Sequence, residues 1–198
     1  GVKVIDDNAF TNCGSIISLS LPEGVEVVGY ETFMGCSSLS GQLLLPDTIT
    51  RIKQRAFESC VNLSGTLILP NNISTIEGYA FSWCKGLSGD LKIPETLTTL
   101  ESGVFQYCMG LNGQLILHDN LQLVETASGG QLGYMFEGCS FQGELRLPKS
   151  WNYIPKGCFK GNNFSSVVGL PEGLIGIGER AFEGCSRLQG NINLPESL

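Results

Sequence analysis

The sequence contains one histidine in 198 residues. That scarcity excludes any site built from two or more histidines, and leaves a nucleophile–histidine pair only His118 to draw on. Basic residues are few as well, twelve Lys and Arg against nineteen Asp and Glu, for a net charge of −7. Nucleic-acid and anionic-membrane binders carry a basic footprint, and this chain has none. No run approaches the roughly 18 apolar residues that cross a bilayer, and no signal-peptide pattern opens the chain. Charged residues amount to only 16% while hydrophobic residues reach 42%, a balance that excludes a disordered chain. Also missing are a Cys-x-x-Cys pair and an Asp-x-Asp-x-Asp-Gly calcium loop.

What is present is a repeat. Phe falls at 10, 33, 57, 81, 105, 136, 159 and 182, and all but one of the gaps are 23 or 24 residues. Pro22, Pro46, Pro70, Pro94, Pro148, Pro171 and Pro195 run in step, with His118 in the one slot that lacks Pro. Before each Pro lies an alternating aliphatic pair, such as Leu43/Leu45, Leu67/Leu69 and Leu91/Ile93. Period-two spacing sends both members to one face of a strand. After it come aliphatics such as Ile49/Ile52 and Ile73/Ile76, expected on a second short strand. Next is the Phe segment, as in Gln54-Arg-Ala-Phe-Glu-Ser-Cys60, which is expected to form one or two helical turns. A period in the twenties with fixed aliphatic slots predicts a leucine-rich solenoid in which neighbouring coils hide one another's side chains.

The fold class expected is therefore α/β: a right-handed solenoid of about eight coils, the outer two incomplete, with a parallel sheet on one face and short helical turns opposite. One domain over residues 1–198 is expected. Both ends lack a polar cap, which predicts a fragment of a longer protein or ends that associate with another chain, end-to-end self-association included.

The unit Ala-Phe-x-x-Cys-x-x-Leu, followed by Leu-x-Leu-Pro and a hydrophobic-x-x-Ile step, resembles the BspA-like leucine-rich repeats; residues 54–76 and 78–100 match it slot for slot. Members of that class are mostly cell-surface or secreted proteins of bacteria and some protozoa. The resemblance implies an adhesion or binding role outside the cell and brings no catalytic residues with it. Two departures stand out: an added Ser-Gly or Asn-Gly step (Ser40-Gly41, Ser64-Gly65, Ser88-Gly89, Asn112-Gly113) and an insertion near Ala127–Leu132.

Seven of the eight cysteines (13, 36, 60, 84, 108, 139 and 185) stand three residues after the repeat Phe, with Asn162 in the remaining copy. Equivalent positions of stacked coils lie about 4.8 Å apart with parallel side chains. A disulfide requires converging Cβ atoms nearer 3.8 Å, so reduced, inward-facing thiols beside a turn are favoured over disulfides and over a metal site. Cys158 occupies the Ala slot and is assigned to packing.

No catalytic, metal or cofactor site is predicted. His118 reads as a turn residue, and Ala-Ser-Gly-Gly-Gln-Leu-Gly133 lacks the Lys of a phosphate loop. An acidic row (Glu23, Asp47, Glu95, Asp119, Glu172, Glu196) reads as a soluble rim rather than a calcium site. Asn62, Asn72 and Asn163 open glycosylation sequons, which matter only in a secreting eukaryote.

Between the inward pairs lie residues that should face outward from the strand sheet. One column contains Ser18, Gln42, Thr66, Asp90, Gln114, Glu144, Val167 and Asn191, the other Ser20, Leu44, Ile68, Lys92, Ile116, Arg146, Gly169 and Asn193. Gln42, Leu44, Thr66, Ile68, Asp90, Lys92, Gln114, Ile116, Glu144 and Arg146 are the partner-binding candidates, an apolar centre with charged surroundings. The expected function is a non-enzymatic module gripping protein or glycan. A passive spacer and an enzyme-associated accessory domain are the alternatives.

Overall fold

The computed structural model describes residues 1–124 and 131–198, so most of the 127–132 insertion lies outside the described residues. Among the described residues fifteen short strands follow one another, and every pairing between them is parallel. They sort onto two sides of the winding. Ahead of the Pro corner, Gly41–Gln42, Leu63–Thr66 and Leu87–Ser88 form one ladder, Leu91–Lys92 pairs with Leu115–Ile116, and Gln142–Arg146 pairs with Asn163–Val168. Past the corner, Val4–Ile5, Val27–Val28, Arg51–Ile52 and Thr75–Ile76 form a four-stranded ladder. Thr99–Leu100 with Gln122–Leu123, and Tyr153–Ile154 with Gly176–Ile177, continue that side. The second short strand expected past the corner is present after Pro22, Pro46, Pro70, Pro94, His118, Pro148 and Pro171, and the eight strands described on this side delimit seven full turns.

The third side corrects the expected α/β class, because no helix occurs among the described residues. In the coil around Phe57, the N–H groups of Ala56, Glu58 and Cys60 fold back to the carbonyls of Lys53, Arg55 and Phe57 at 3.2, 3.0 and 3.1 Å. The alternate N–H groups of Arg55, Phe57 and Ser59 reach the next coil, at Gly78, Ala80 and Ser82, over 3.1, 2.8 and 2.8 Å. A helix would require all of those donors within its own turn. Here half of them stitch neighbouring coils together, leaving a stack of β-turns.

That alternation requires left-handed backbone on both sides of each Phe. The residues two before and two after the ring have positive φ in every copy, from Asn8 and Asn12 to Arg180 and Gly184. All ten non-glycine residues of positive φ belong to these two columns. Each such residue costs about 1–2 kcal/mol, and the bonds between coils offset it. At Gly35, Gly103, Gly138 and Gly157 the side chain of the preceding coil lies over the glycine. A Cβ on Gly103 would stand 2.2 Å from Tyr79 Cε1, and one on Gly138 would stand 2.5 Å from Tyr107 Cδ1.

The eight rings form a continuous spine. Phe10, Phe33, Phe57, Phe81, Phe105, Phe136, Phe159 and Phe182 stack with centroid separations of 5.3, 5.3, 5.5, 5.6, 6.0, 5.8 and 5.4 Å. Their ring planes diverge by no more than 18°. Beside them runs the thiol column. The Sγ atoms of Cys36, Cys60, Cys84, Cys108 and Cys139 donate to the carbonyls of Phe10, Phe33, Phe57, Phe81 and Phe105 at 3.0–3.1 Å. Asn162 performs the same task, donating Nδ2 to Phe136 O at 2.8 Å and to Phe159 O at 2.9 Å while its Oδ1 accepts from Phe141 N at 3.1 Å. The slot therefore calls for a small donor facing a turn carbonyl. Cys158 is fully buried in the Ala slot, as its assignment to packing requires.

Candidate functional site

The two outward columns of the strand side are exposed from Gln42 to Arg146, but they differ in what they touch. The first column leans on its own sheet. Gln42 Nε2 donates to Thr66 O at 3.1 Å, and Asp90 Oδ1 accepts the Gln114 N–H at 2.7 Å. The carbon stem of Gln42 and the hydroxyl of Thr66 lie over Gly65 and Gly89, 3.5 and 3.2 Å from where a Cβ would stand. Those two glycines, with Gly41 and Gly143, have φ of 77 to 83°. The Ser-Gly step is thus a left-handed entry into the strand, covered at Gly65 and Gly89 by a neighbouring side chain, and the chemistry of this column is partly structural.

The second column is unengaged. Leu44 and Ile68 are 68% and 65% exposed, Ile116 is 41% exposed, and Lys92 pairs with no carboxylate or ring among the described residues. Arg146 makes only a loose contact with Glu144, 3.8 Å apart on an exposed surface, where an ion pair contributes little.

One part of the expected columns is displaced. The pairing of Gln142–Arg146 with Asn163–Val168 slips between Gly143 and Glu144, so Leu145 lies opposite Val167 and Arg146 opposite Val168. Val167 therefore packs against the core instead of facing outward, and Val168 takes the outward place assigned to Gly169. Gly169, at φ 61°, absorbs the extra residue before Pro171.

Three coils frame an open groove of about 860 Å³ along the Pro corner. Ile68, Lys92 and Ile116 line it from the strand side, and Asn71, Glu95 and Asp119 from beyond the corner. Leu44 continues the apolar column one coil outside it. The sequence pointed to the strand wall through its variable columns; the second wall was visible only as the acidic row and was not joined to them. His118 is half-buried in this wall rather than a free turn residue, with Nε2 3.1 Å from Leu97 O. Asp119 pairs with Lys149 at 3.1 Å, which holds its carboxyl below the usual range, while Glu95 has no such partner among the described residues.

Trp83 and Tyr107, each two residues after its repeat Phe, are neighbours with centroids 4.5 Å apart, and Lys85 Nζ stands 4.7 Å from the Trp83 ring. They belong to the left-handed turn columns rather than to a helical face. The buried thiols are held far from reactivity. Burial pushes Cys60 up to about 12 and raises Cys84, Cys108, Cys139 and Cys158 as well. A thiol that stays protonated is neither a nucleophile nor a metal ligand.

Comparison with known families matches residues 3–128 and 132–198 to the model described as BspA type Leucine rich repeat region (6 copies). Two solved structures are similar along most of the chain. A leucine-rich repeat protein of T. pallidum is 25% identical with a TM-score of 0.58, covering 95% of this chain and 72% of that one. One from Bacteroides ovatus is 22% identical with a TM-score of 0.64, over 95% of this chain and 54% of that one. Curated protein sequences give no significant match.

Proposed function

Because the chain belongs to the BspA-type leucine-rich repeat family, we propose that it is a non-enzymatic recognition module, displayed outside the cell as an adhesin, that grips a protein through the strand-side groove. The carrying observation is the difference between the two outward columns. Gln42, Thr66, Asp90 and Gln114 are committed to the sheet, whereas Leu44, Ile68 and Ile116 are exposed aliphatics and Lys92 has no ion-pair partner among the described residues. Aliphatic side chains lifted into water without a structural return are what a docking surface supplies. Protein is favoured over glycan because no Phe, Tyr or Trp lines the groove, so it offers no aromatic platform for a sugar ring.

The test is the triple change Leu44→Ser, Ile68→Ser and Ile116→Ser, with wild type and variant probed on one array of matrix proteins and glycans. The expected result is capture of protein targets by the wild type and at least tenfold weaker capture by the variant at unchanged circular dichroism. Undiminished capture, capture of glycans alone, or no capture at all would overturn the proposal. The last of these is what a spacer would give.

A further inference from the structure

Resting on that reading of the groove, we infer that the partner presents an amphipathic α-helix lying along the stacking axis, with the ridge order apolar, apolar, acidic, apolar. The first argument is spacing. Leu44, Ile68, Lys92 and Ile116 recur every 24 residues in four successive coils, each directly after a buried Leu, and Ile116 pairs directly with Lys92. Adjacent strands advance about 4.8 Å, and the pitch of an α-helix is about 5.4 Å. A helix laid along the column thus offers one residue per turn to each coil and drifts about 0.6 Å per step, under 2 Å across all four residues. An extended segment, with same-face residues about 6.7 Å apart, drifts about 1.9 Å per step and is out of phase before the fourth coil. The stacking interval therefore selects a helix over a strand.

The second argument is charge. Lys92 stands between Ile68 and Ile116 in the column with no ion-pair partner among the described residues. Its nearest acidic neighbour in sequence, Asp90, spends one oxygen on the Gln114 amide. A Glu or Asp on the ridge, flanked by apolar residues, would meet this ammonium where water is displaced, and the pairing fixes register along an otherwise greasy contact. Across the groove, Glu95 has no ion-pair partner among the described residues while Asp119 is paired with Lys149, so the flank of the helix facing the Pro corner should carry Lys or Arg.

The probe is a random library of displayed 20-residue peptides, selected on the immobilised chain. Enriched peptides should carry apolar residues at i, i+4 and i+11 with an acid at i+7, and should gain helical circular dichroism on binding. Lys92→Glu should weaken them at least tenfold, and exchanging the peptide acid for Lys should restore binding to that variant. Enriched peptides that are extended or Pro-rich, or that ignore Lys92→Glu while failing on the triple serine variant, would sink the helix and leave the groove standing. Peptides that survive the triple variant, or a library that enriches nothing, would overturn the groove and the helix together.

Discussion

Phe81→Ala is the substitution that weighs most on this fold. The ring is completely buried, with Phe57 at 5.5 Å on one side and Phe105 at 5.6 Å on the other, both nearly parallel. Removing it forfeits about 1.5–3 kcal/mol of transfer free energy and two ring contacts worth about 0.5–1.5 kcal/mol each. The spine cannot close over the gap, because flanking backbone is pinned by Phe81 N–H to Val104 O and by Ala80 O to Phe57 N–H. The expected loss is about 3–5 kcal/mol. Phe10→Ala is the matched control, since that ring is 40% exposed and has one neighbour, Phe33; it should cost about 1 kcal/mol. Urea unfolding followed by far-ultraviolet circular dichroism measures both. Equal losses, or a loss below about 1 kcal/mol for Phe81→Ala, would refute a spine that gathers strength from both of its neighbours.

Asn162→Leu should destabilise by about 1–3 kcal/mol, because it strands the Phe141 N–H inside the protein and takes one donor each from the Phe136 and Phe159 carbonyls. Asn162→Cys should retain part of that stability, since a thiol can still donate to Phe136 O; equal losses for the two variants in urea melts would mean that donation does not matter. Stability should also fall with alkali. The buried thiols have raised pKa values, so above the unfolded thiol pKa, about 8.5, the unfolded chain releases protons that the folded one keeps. Each such thiol then costs about 1.4 kcal/mol per pH unit until its folded pKa is reached, near 12 for Cys60. Urea midpoints that stay level between pH 8.5 and 10.5 would contradict that burial.

The spine, the thiol column and the two strand sides were legible in the sequence because one strict period places Phe, Cys and the aliphatic pairs in fixed slots. The turn side was misread for a physical reason. A helix and a stack of β-turns both set Phe and Cys three residues apart, and what separates them is handedness at the residues two before and two after the ring. That signal is present: Asn8, Asn12, Gly35, Gly103, Gly138, Gly157, Gly161 and Gly184, residue types that tolerate positive φ, occupy half of those slots. Tyr79, Trp83 and Tyr107 in the same columns obscure it. The outward columns followed from period two, but their division into an engaged and an unengaged set depends on Gln42 and Asp90 bonding to the next coil, which no single repeat reveals. The displaced Val167 escaped because counting back from Pro171 assumes that every coil reaches its corner in the same number of residues.

In-register stacking is tested most directly by counting reactive thiols in the native protein with an aromatic disulfide reagent. Cys13 at the outer coil is the exposed cysteine, while Cys36, Cys60, Cys84, Cys108, Cys139, Cys158 and Cys185 are enclosed. The account predicts one thiol reacting at once and all eight of the sequence reacting after unfolding in guanidinium. Several thiols reacting at once under native conditions would mean that the coils do not stack as described.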